Sequence, residues 1–107
     1  MNMPHNQIIN LTAVDMVSKI RARIISAREV MEAHLLQIED INPKVNAIVT
    51  LVPELGLEKA DEVDSAVRKG EDLGILQGLP IAHKDLVATK GIRTTFGSPI
   101  FEHNVPD

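Results

Sequence analysis

The sequence predicts an α/β fold of about three helices and two strands that form an incomplete mixed sheet. Three observations support it: helix-start patterns at Thr12 and Ser26, a proline directly after one aliphatic run, and a second aliphatic run that begins at Gly78. We predict one domain. Residues 1–77 are expected to be mainly helical with one strand, and residues 78–107 to carry the second strand and a loop.

Capping patterns and apolar spacing predict the first two helices. Thr12 lies three residues before Asp15, and Ser26 lies three residues before Glu29, which is the spacing of a capping box. After Ser26, apolar residues recur at helical spacing as far as the Asn-Pro pair at Pro43. We therefore predict that the second helix ends there.

A third helix and two strands complete the predicted elements. Pro53 opens the third helix, which we expect to stop at Gly70. The predicted strands are the aliphatic runs 47–52 and 78–86. So few strands leave unpaired edges, and a monomer would leave part of its apolar surface bare. We therefore expect the chain to self-associate.

Composition narrows the classes of function. Of the 107 residues, 44% are hydrophobic but only 2% are aromatic, so an aliphatic core is expected. The formal net charge of −4 gives no basic face, and we predict no nucleic-acid binding. There is no cysteine, and the four histidines lack metal-ligand spacing. We predict neither a metal nor a cofactor.

Sequence features relevant to targeting predict a soluble protein. The first seven residues lack the charged start and long apolar run of a signal peptide. No stretch has the apolar length of a membrane span. We expect a cytoplasmic location and no membrane contact.

Lys84 is the most informative single residue, because it falls inside the second predicted strand, which we expect to be buried. Strand alternation places it on the same face as Ala82 and Leu86. Removal of an ammonium group from water favours the neutral amine and lowers a lysine pKa, so a buried lysine can act as a base. Two structural alternatives remain open: Lys84 could extend to the strand end, or it could pair with a carboxylate such as Asp85.

The segment from Gly78 to Pro106, GLPIAHKDLVATKGIRTTFGSPIFEHNVP, resembles the amidase signature family, whose members hydrolyse amide C–N bonds. Upstream, Ser26-Ala27-Arg28-Glu29-Val30, Ile38-Glu39 and Asn42-Pro43-Lys44-Val45-Asn46-Ala47 resemble the family's opening helix and first strand. Nearly the whole chain is covered. The resemblance implies the N-terminal part of an amidase signature domain and a small-molecule amide as substrate.

The resemblance also implies roles for individual residues. Lys84 matches the lysine of the family's serine-cis-serine-lysine triad, where it accepts a proton relayed from the nucleophile. Asp85 matches the next motif residue, and we expect it to orient the following loop by accepting backbone N–H bonds. A threonine-glycine-serine loop near the family's active site is matched by Thr94, Thr95, Gly97 and Ser98, for which an ordinary turn is an equal alternative.

The nucleophile and oxyanion hole of the family have no counterpart in these 107 residues. No Gly-Gly-Ser-Ser-Gly segment and no Gly-x-Ser-x-Gly elbow occurs in the sequence. Of the four serines, only Ser98 lies in a loop near Lys84. We therefore expect these residues alone to be inactive, because the electrostatic stabilisation that dominates acyl transfer is missing.

Three functions are compatible with the sequence. The first is an amidase-type hydrolase of which this chain is the lysine-bearing piece. The second is a short, non-catalytic binding or regulatory subunit that completes a serine-bearing partner. The third is a subunit of the related transamidase branch, which passes ammonia from glutamine to a charged tRNA.

Overall fold

Helices form all the regular secondary structure in residues 3–107, which are the residues described by the computed structural model. The elements are α1 (His5–Ile8), α2 (Ala13–Arg21), α3 (Ala27–Val45), α4 (Pro53–Arg68) and a 3₁₀ helix (Pro99–Phe101). The predicted absence of a signal peptide depends partly on Met1 and Asn2. These two residues lie outside the described residues. None of the helices within residues 3–107 has the length and apolar character that crossing a membrane requires.

The starts of α2 and α3 are confirmed at the predicted residues. The Thr12 hydroxyl accepts a hydrogen bond from the Asp15 N–H at 3.1 Å. The Ser26 hydroxyl accepts from the Glu29 N–H at 2.9 Å, and the Glu29 carboxylate accepts from the Ser26 N–H at 2.8 Å. This reciprocal pair is a complete capping box, and it satisfies donors that a helix start leaves free.

The hydrophobic core lies among the helices, with α3 packed against both α1 and α4. Ile20 on α2 and Val30 on α3 are almost completely buried. The other buried apolar members of the core are Ile8, Met16, Ile25, Ala27, Ala33 and Ala60. Aliphatic side chains thus build this core, and no aromatic ring is among its buried members within residues 3–107.

A carboxylate of α4 also caps the first turn of α3. Asp64 accepts hydrogen bonds from the backbone N–H groups of Ala27, at 2.7 Å, and Arg28, at 3.1 Å. A negative charge at a helix N-terminus interacts favourably with the helix dipole. The contact therefore joins the two longest helices through charge as well as through apolar packing.

The predicted end of α3 at Pro43 is wrong, because the helix continues to Val45. Proline lacks the N–H that would bond one turn back, but only the last turn of α3 is affected. Asn46 then adopts a left-handed conformation with φ of 48°, and its N–H donates to the Asn42 carbonyl at 2.7 Å. Beyond it, the Asn42 side-chain amide bonds both the N–H and the C=O of Ile48, at 2.9 and 3.0 Å.

The prediction of an α/β fold with two strands is wrong, since residues 3–107 contain no strand and no sheet. In the run 47–52, the backbone groups of Ile48 bond a side chain instead of a neighbouring strand. In the run 78–86, the N–H groups of residues 81–84 have no backbone partner within residues 3–107. A strand exists only when it is paired, and aliphatic composition alone does not supply a partner.

Candidate active-site segment around Lys84

The segment that carries Lys84 is attached to the helical core at its upstream end. Gly78 has φ of +84°, and a Cβ there would lie 2.8 Å from Cδ1 of Ile20. Leu79 packs against the core next to it. Glycine therefore allows the chain to pass directly over α2 before it leaves the core.

Lys84 is exposed to solvent, contrary to the prediction that it occupies a buried strand. Its carbonyl accepts the Val87 N–H at 2.9 Å, which closes a turn directly after the lysine. No ion pair among residues 3–107 includes Lys84. Residues 3–107 therefore leave the Lys84 side chain open to solvent.

Asp85, the next residue, is hydrogen-bonded to Thr95 through both carboxylate oxygens. Its Oδ1 accepts the Thr95 N–H at 2.8 Å, and its Oδ2 accepts the Thr95 hydroxyl. The Asp85 main-chain carbonyl accepts the Phe96 N–H at 3.0 Å. The side chain of Asp85 is thus held by Thr95, and its main chain is held by the next residue, Phe96.

These contacts favour the ionised form of Asp85. The hydrogen bonds from the Thr95 hydroxyl and N–H lower the pKa of the Asp85 carboxyl below its ordinary value of 3.8, and the positive charge of Arg93 acts in the same direction. Partial burial acts in the opposite direction but is outweighed. Asp85 is therefore a carboxylate at neutral pH and can accept both hydrogen bonds.

The hydroxyls of Thr94 and Thr95 are engaged inside the loop. Thr94 is only 1% exposed, and its hydroxyl donates to the Ile92 carbonyl at 3.1 Å. The Thr94 N–H donates to the main-chain carbonyl of Asn104 at 2.9 Å. The Thr94 carbonyl accepts a hydrogen bond from the side-chain amide of Asn104, also at 2.9 Å. Thr95 is 7% exposed, and its hydroxyl also accepts the Gly97 N–H at 3.2 Å. Both residues hold the loop together in this structure.

Gly97 and Ser98 lie nearer the surface than the two threonines. Gly97 has φ of +69°, and the Ser98 hydroxyl accepts the Ile100 N–H at 3.3 Å as the cap of the 3₁₀ helix. Phe96 and Phe101 meet edge to face, with ring centroids 5.1 Å apart. The predicted loop residues thus form one connected turn that contacts Asp85 through Thr95.

Several apolar side chains are exposed in this segment. They lie either near Lys84 in sequence or on the loop that bonds Asp85. Ile81 is 76% exposed, Ile100 is 87% exposed, and the others are Leu86, Val87, Phe96, Phe101 and Val105. We call this set the exposed apolar surface of the loop. Exposed apolar side chains mark a surface that other protein covers where they form one continuous patch, whereas single ones are common on monomers.

Groups for covalent or metal chemistry are sparse in this segment. Ser98, the serine nearest to Lys84 in the sequence, is engaged as a cap, and no hydrogen bond within residues 3–107 joins any serine to the Lys84 amine. No cluster of three or more metal-ligating side chains occurs in the described part of the chain. An open groove of about 840 Å³ lies between α3 and the start of α4, but Lys84 does not line it.

Comparison with known proteins identifies the family. The model of the Amidase family matches residues 29–107, which include Lys84, Asp85 and Thr95. The chain belongs to the amidase family.

Curated relatives extend this likeness over nearly the whole chain. A glutamyl-tRNA(Gln) amidotransferase subunit of Carboxydothermus hydrogenoformans is 46% identical over 100 residues, covering 94% of this chain and 21% of the relative. The corresponding protein of Granulibacter bethesdensis is 41% identical over 99 residues, covering 92% of this chain and 20% of the relative. The chain therefore spans about a fifth of the length of these relatives.

A solved structure shares the arrangement of the helices and loop. It is described as a vestigial protein complex that reveals the evolutionary origins of an s-triazine catabolic enzyme. One of its chains superposes with a TM-score of 0.85 at 32% identity, over 91% of this chain and 21% of that chain. The fold of the described residues is therefore similar to part of a larger protein.

Sequence reasoning missed two members of this network. Asn104 bonds the main chain of Thr94, and Arg93 contributes to the low pKa of Asp85. Neither residue has a periodic spacing or a motif that would mark it. The contact between Asp85 and Thr95 spans ten residues of irregular chain, so only the folded loop reveals it.

Proposed function

We propose that this chain is the lysine-bearing part of an amidase-type enzyme in which Lys84 is the catalytic base. The observation that carries the proposal is the Lys84-Asp85 pair, which lies inside the family match and whose aspartate is held by Thr95. The exposed position of Lys84 leaves its amine accessible to groups from other protein. The role of Lys84 as the base and the role of Asp85 as its structural support are both part of this proposal.

The proposed chemistry is acyl transfer from an amide. A serine oxygen attacks the carbonyl carbon, and its proton passes through a bridging serine to the neutral amine of Lys84. The C–N bond then breaks, and Lys84 returns a proton to the leaving amine. Water releases the acyl group in a second step. Both serines and the oxyanion donors would come from protein outside the 107 residues.

Covering protein would also supply the environment that the base requires. In this structure Lys84 is exposed to solvent. Protein packed on the exposed apolar surface of the loop would remove water from the amine and favour its neutral form. We therefore expect the 107 residues alone to be inactive, and we propose that they contribute a base to a composite site.

A second candidate is the transamidase branch of the family, which the names of the relatives favour. Those relatives, 46% and 41% identical to this chain, are named as glutamyl-tRNA(Gln) amidotransferase subunits. In that case the amide is the side chain of glutamine, and the ammonia released is used to amidate a charged tRNA. The same lysine would serve as the base in both candidates. Cytoplasmic location and self-association stay predictions for either one.

The test uses the native polypeptide that carries these residues. We expect Lys84→Ala to reduce ammonia release from simple amides or glutamine at least about 100-fold, the usual contribution of a general base. Lys90→Ala is the matched control, since Lys90 is another exposed lysine six positions along the same segment. Full activity of Lys84→Ala would remove Lys84 from the catalytic machinery. Glutamine hydrolysis stimulated by glutamyl-tRNA would select the transamidase branch.

A further inference from the structure

We infer that Thr95 is a positioning residue for Lys84, and that it acts through Asp85. This inference rests on the proposed base role of Lys84. Thr95 holds the residue that directly follows Lys84, and so fixes the point from which the lysine side chain leaves the backbone.

The first observation is the number of bonds that fix Asp85. Both carboxylate oxygens bond Thr95, and the main-chain carbonyl bonds the N–H of Phe96. Three attachments to two consecutive residues leave Asp85 little freedom to rotate about its backbone. Its peptide link to Lys84 is restricted further by the turn in which the Lys84 carbonyl accepts the Val87 N–H.

The second observation is that Thr95 is itself anchored. It is 7% exposed, and its hydroxyl accepts the Gly97 N–H while donating to Asp85. Its neighbour Thr94 is 1% exposed and is bonded through both main-chain groups to Asn104. A buried, fully bonded support on one side and an exposed lysine on the other is the arrangement expected when a loop orients a reactive group.

The third observation is the lack of comparable support upstream. Residues 81–84 are exposed, and their N–H groups have no backbone partner within residues 3–107. The nearest upstream attachment to the core is at Gly78 and Leu79. Within the described chain, the position of Lys84 is therefore set mainly from the downstream side, where Asp85 and Thr95 meet.

Substitutions at Thr95 can separate this role from general loop stability. Thr95→Val keeps the shape and the N–H but removes the hydroxyl, whereas Thr95→Ser keeps the hydroxyl. Thr89→Val is the matched control, because Thr89 lies in the same loop and contacts the hydroxyl of Thr94, and its hydrogen bonds do not include Asp85. Asp85→Asn preserves size but removes one acceptor and the charge, so it tests the same contact from the other side.

The experiment measures kcat and KM for a small amide with the native enzyme that carries residues 1–107. We expect Thr95→Val and Asp85→Asn to lower kcat about 10- to 100-fold with little change in KM, as misplacement of a catalytic group does. Thr95→Ser should restore kcat to within about threefold of the parent. Thr89→Val should keep the parent kcat, even if it lowers the melting temperature. If Thr95→Val does not fold, Asp85→Asn decides by the same criteria.

Two outcomes would overturn the inference, and they differ in whether the base role of Lys84 survives. If Lys84→Ala is inactive while Thr95→Val and Asp85→Asn keep the kcat of Thr89→Val, the positioning role is wrong and the base role stands. If Lys84→Ala remains fully active, the proposed function fails and the positioning role fails with it.

Discussion

Gly78 packs directly against the side chain of Ile20. A Cβ atom added to the glycine would lie 2.8 Å from the Ile20 Cδ1 atom. Ile20 is 1% exposed, so its side chain has little room to move aside. The contact fixes where the chain leaves the helical core on its way to Lys84.

Gly78→Ala should therefore destabilise the protein more than an alanine at a glycine with open surroundings. Gly70 is the matched control, since its φ of +73° is similar and nothing lies within 4 Å of the position that an added methyl would take. We expect a loss of about 1–2 kcal/mol for Gly70→Ala from backbone strain alone. Gly78→Ala should lose about 1–3 kcal/mol more through overpacking. Urea unfolding measures both, and equal losses would contradict the steric contact.

The cap that Asp64 places on α3 predicts a second stability effect. Asp64→Asn removes the charge that faces the N–H groups of Ala27 and Arg28. We expect a loss of about 1–2 kcal/mol in the free energy of unfolding, at the low end for hydrogen bonds to a charged group because asparagine keeps one acceptor oxygen. Asp61→Asn is the control, because Asp61 lies one turn earlier on α4 and pairs with the partly exposed Arg28 side chain. Its loss should stay below about 1 kcal/mol.

The Asp85–Thr95 contact should depend on pH at the acidic end. The pKa of Asp85 is lowered by the hydrogen bonds from Thr95, so the contact is fully present above the ordinary value of 3.8. It should be lost as the pH falls through the lower pKa of the folded state. NMR titration of the Asp85 carboxyl carbon measures this midpoint. Thr95→Val should raise it towards the ordinary value, and an unchanged midpoint would count against the contact.

Lys84→Arg separates a base from a fixed positive charge. A guanidinium stays protonated at working pH, so it cannot accept the relayed proton. We expect the native polypeptide with Lys84→Arg to be as inactive towards amides as Lys84→Ala. An active arginine variant would mean that Lys84 contributes only charge.

Self-association should depend on the exposed apolar surface of the loop. Ile81→Ser removes one of its most exposed members, and Val14→Ser on α2 is a control with the same exposure of 76%. We expect light scattering of the 107-residue chain to give a mass above 11.7 kDa at high concentration. Ile81→Ser should lower this mass, whereas Val14→Ser should not. A monomer at every concentration would contradict the prediction.

Local chemistry explains which parts of the fold the sequence could predict. Thr12 and Ser26 bond N–H groups three residues away, so the starts of α2 and α3 are encoded in short segments. Strands require a partner that short segments do not specify. The aliphatic runs at 47–52 and 78–86 therefore have the composition of strands, although neither pairs within residues 3–107.

The candidate site could likewise be predicted only in part. Resemblance to the family singles out Lys84, Asp85 and the loop of Thr94, Thr95, Gly97 and Ser98. The predicted burial of Lys84 depends on a strand that is absent from the described residues, and Lys84 is exposed there. The bonds from Thr95 to Asp85 depend on the path of an irregular loop, which propensity and periodicity do not encode.

The side-chain amide of Asn42 has a consequence for how this chain meets other chains. By bonding both the N–H and the C=O of Ile48, it occupies the two groups through which that residue would join a neighbouring strand. An extended aliphatic segment with free backbone N–H and C=O groups can pair with a strand of another chain. Here a single asparagine side chain occupies both backbone groups of Ile48, so a neighbouring strand cannot pair through that residue.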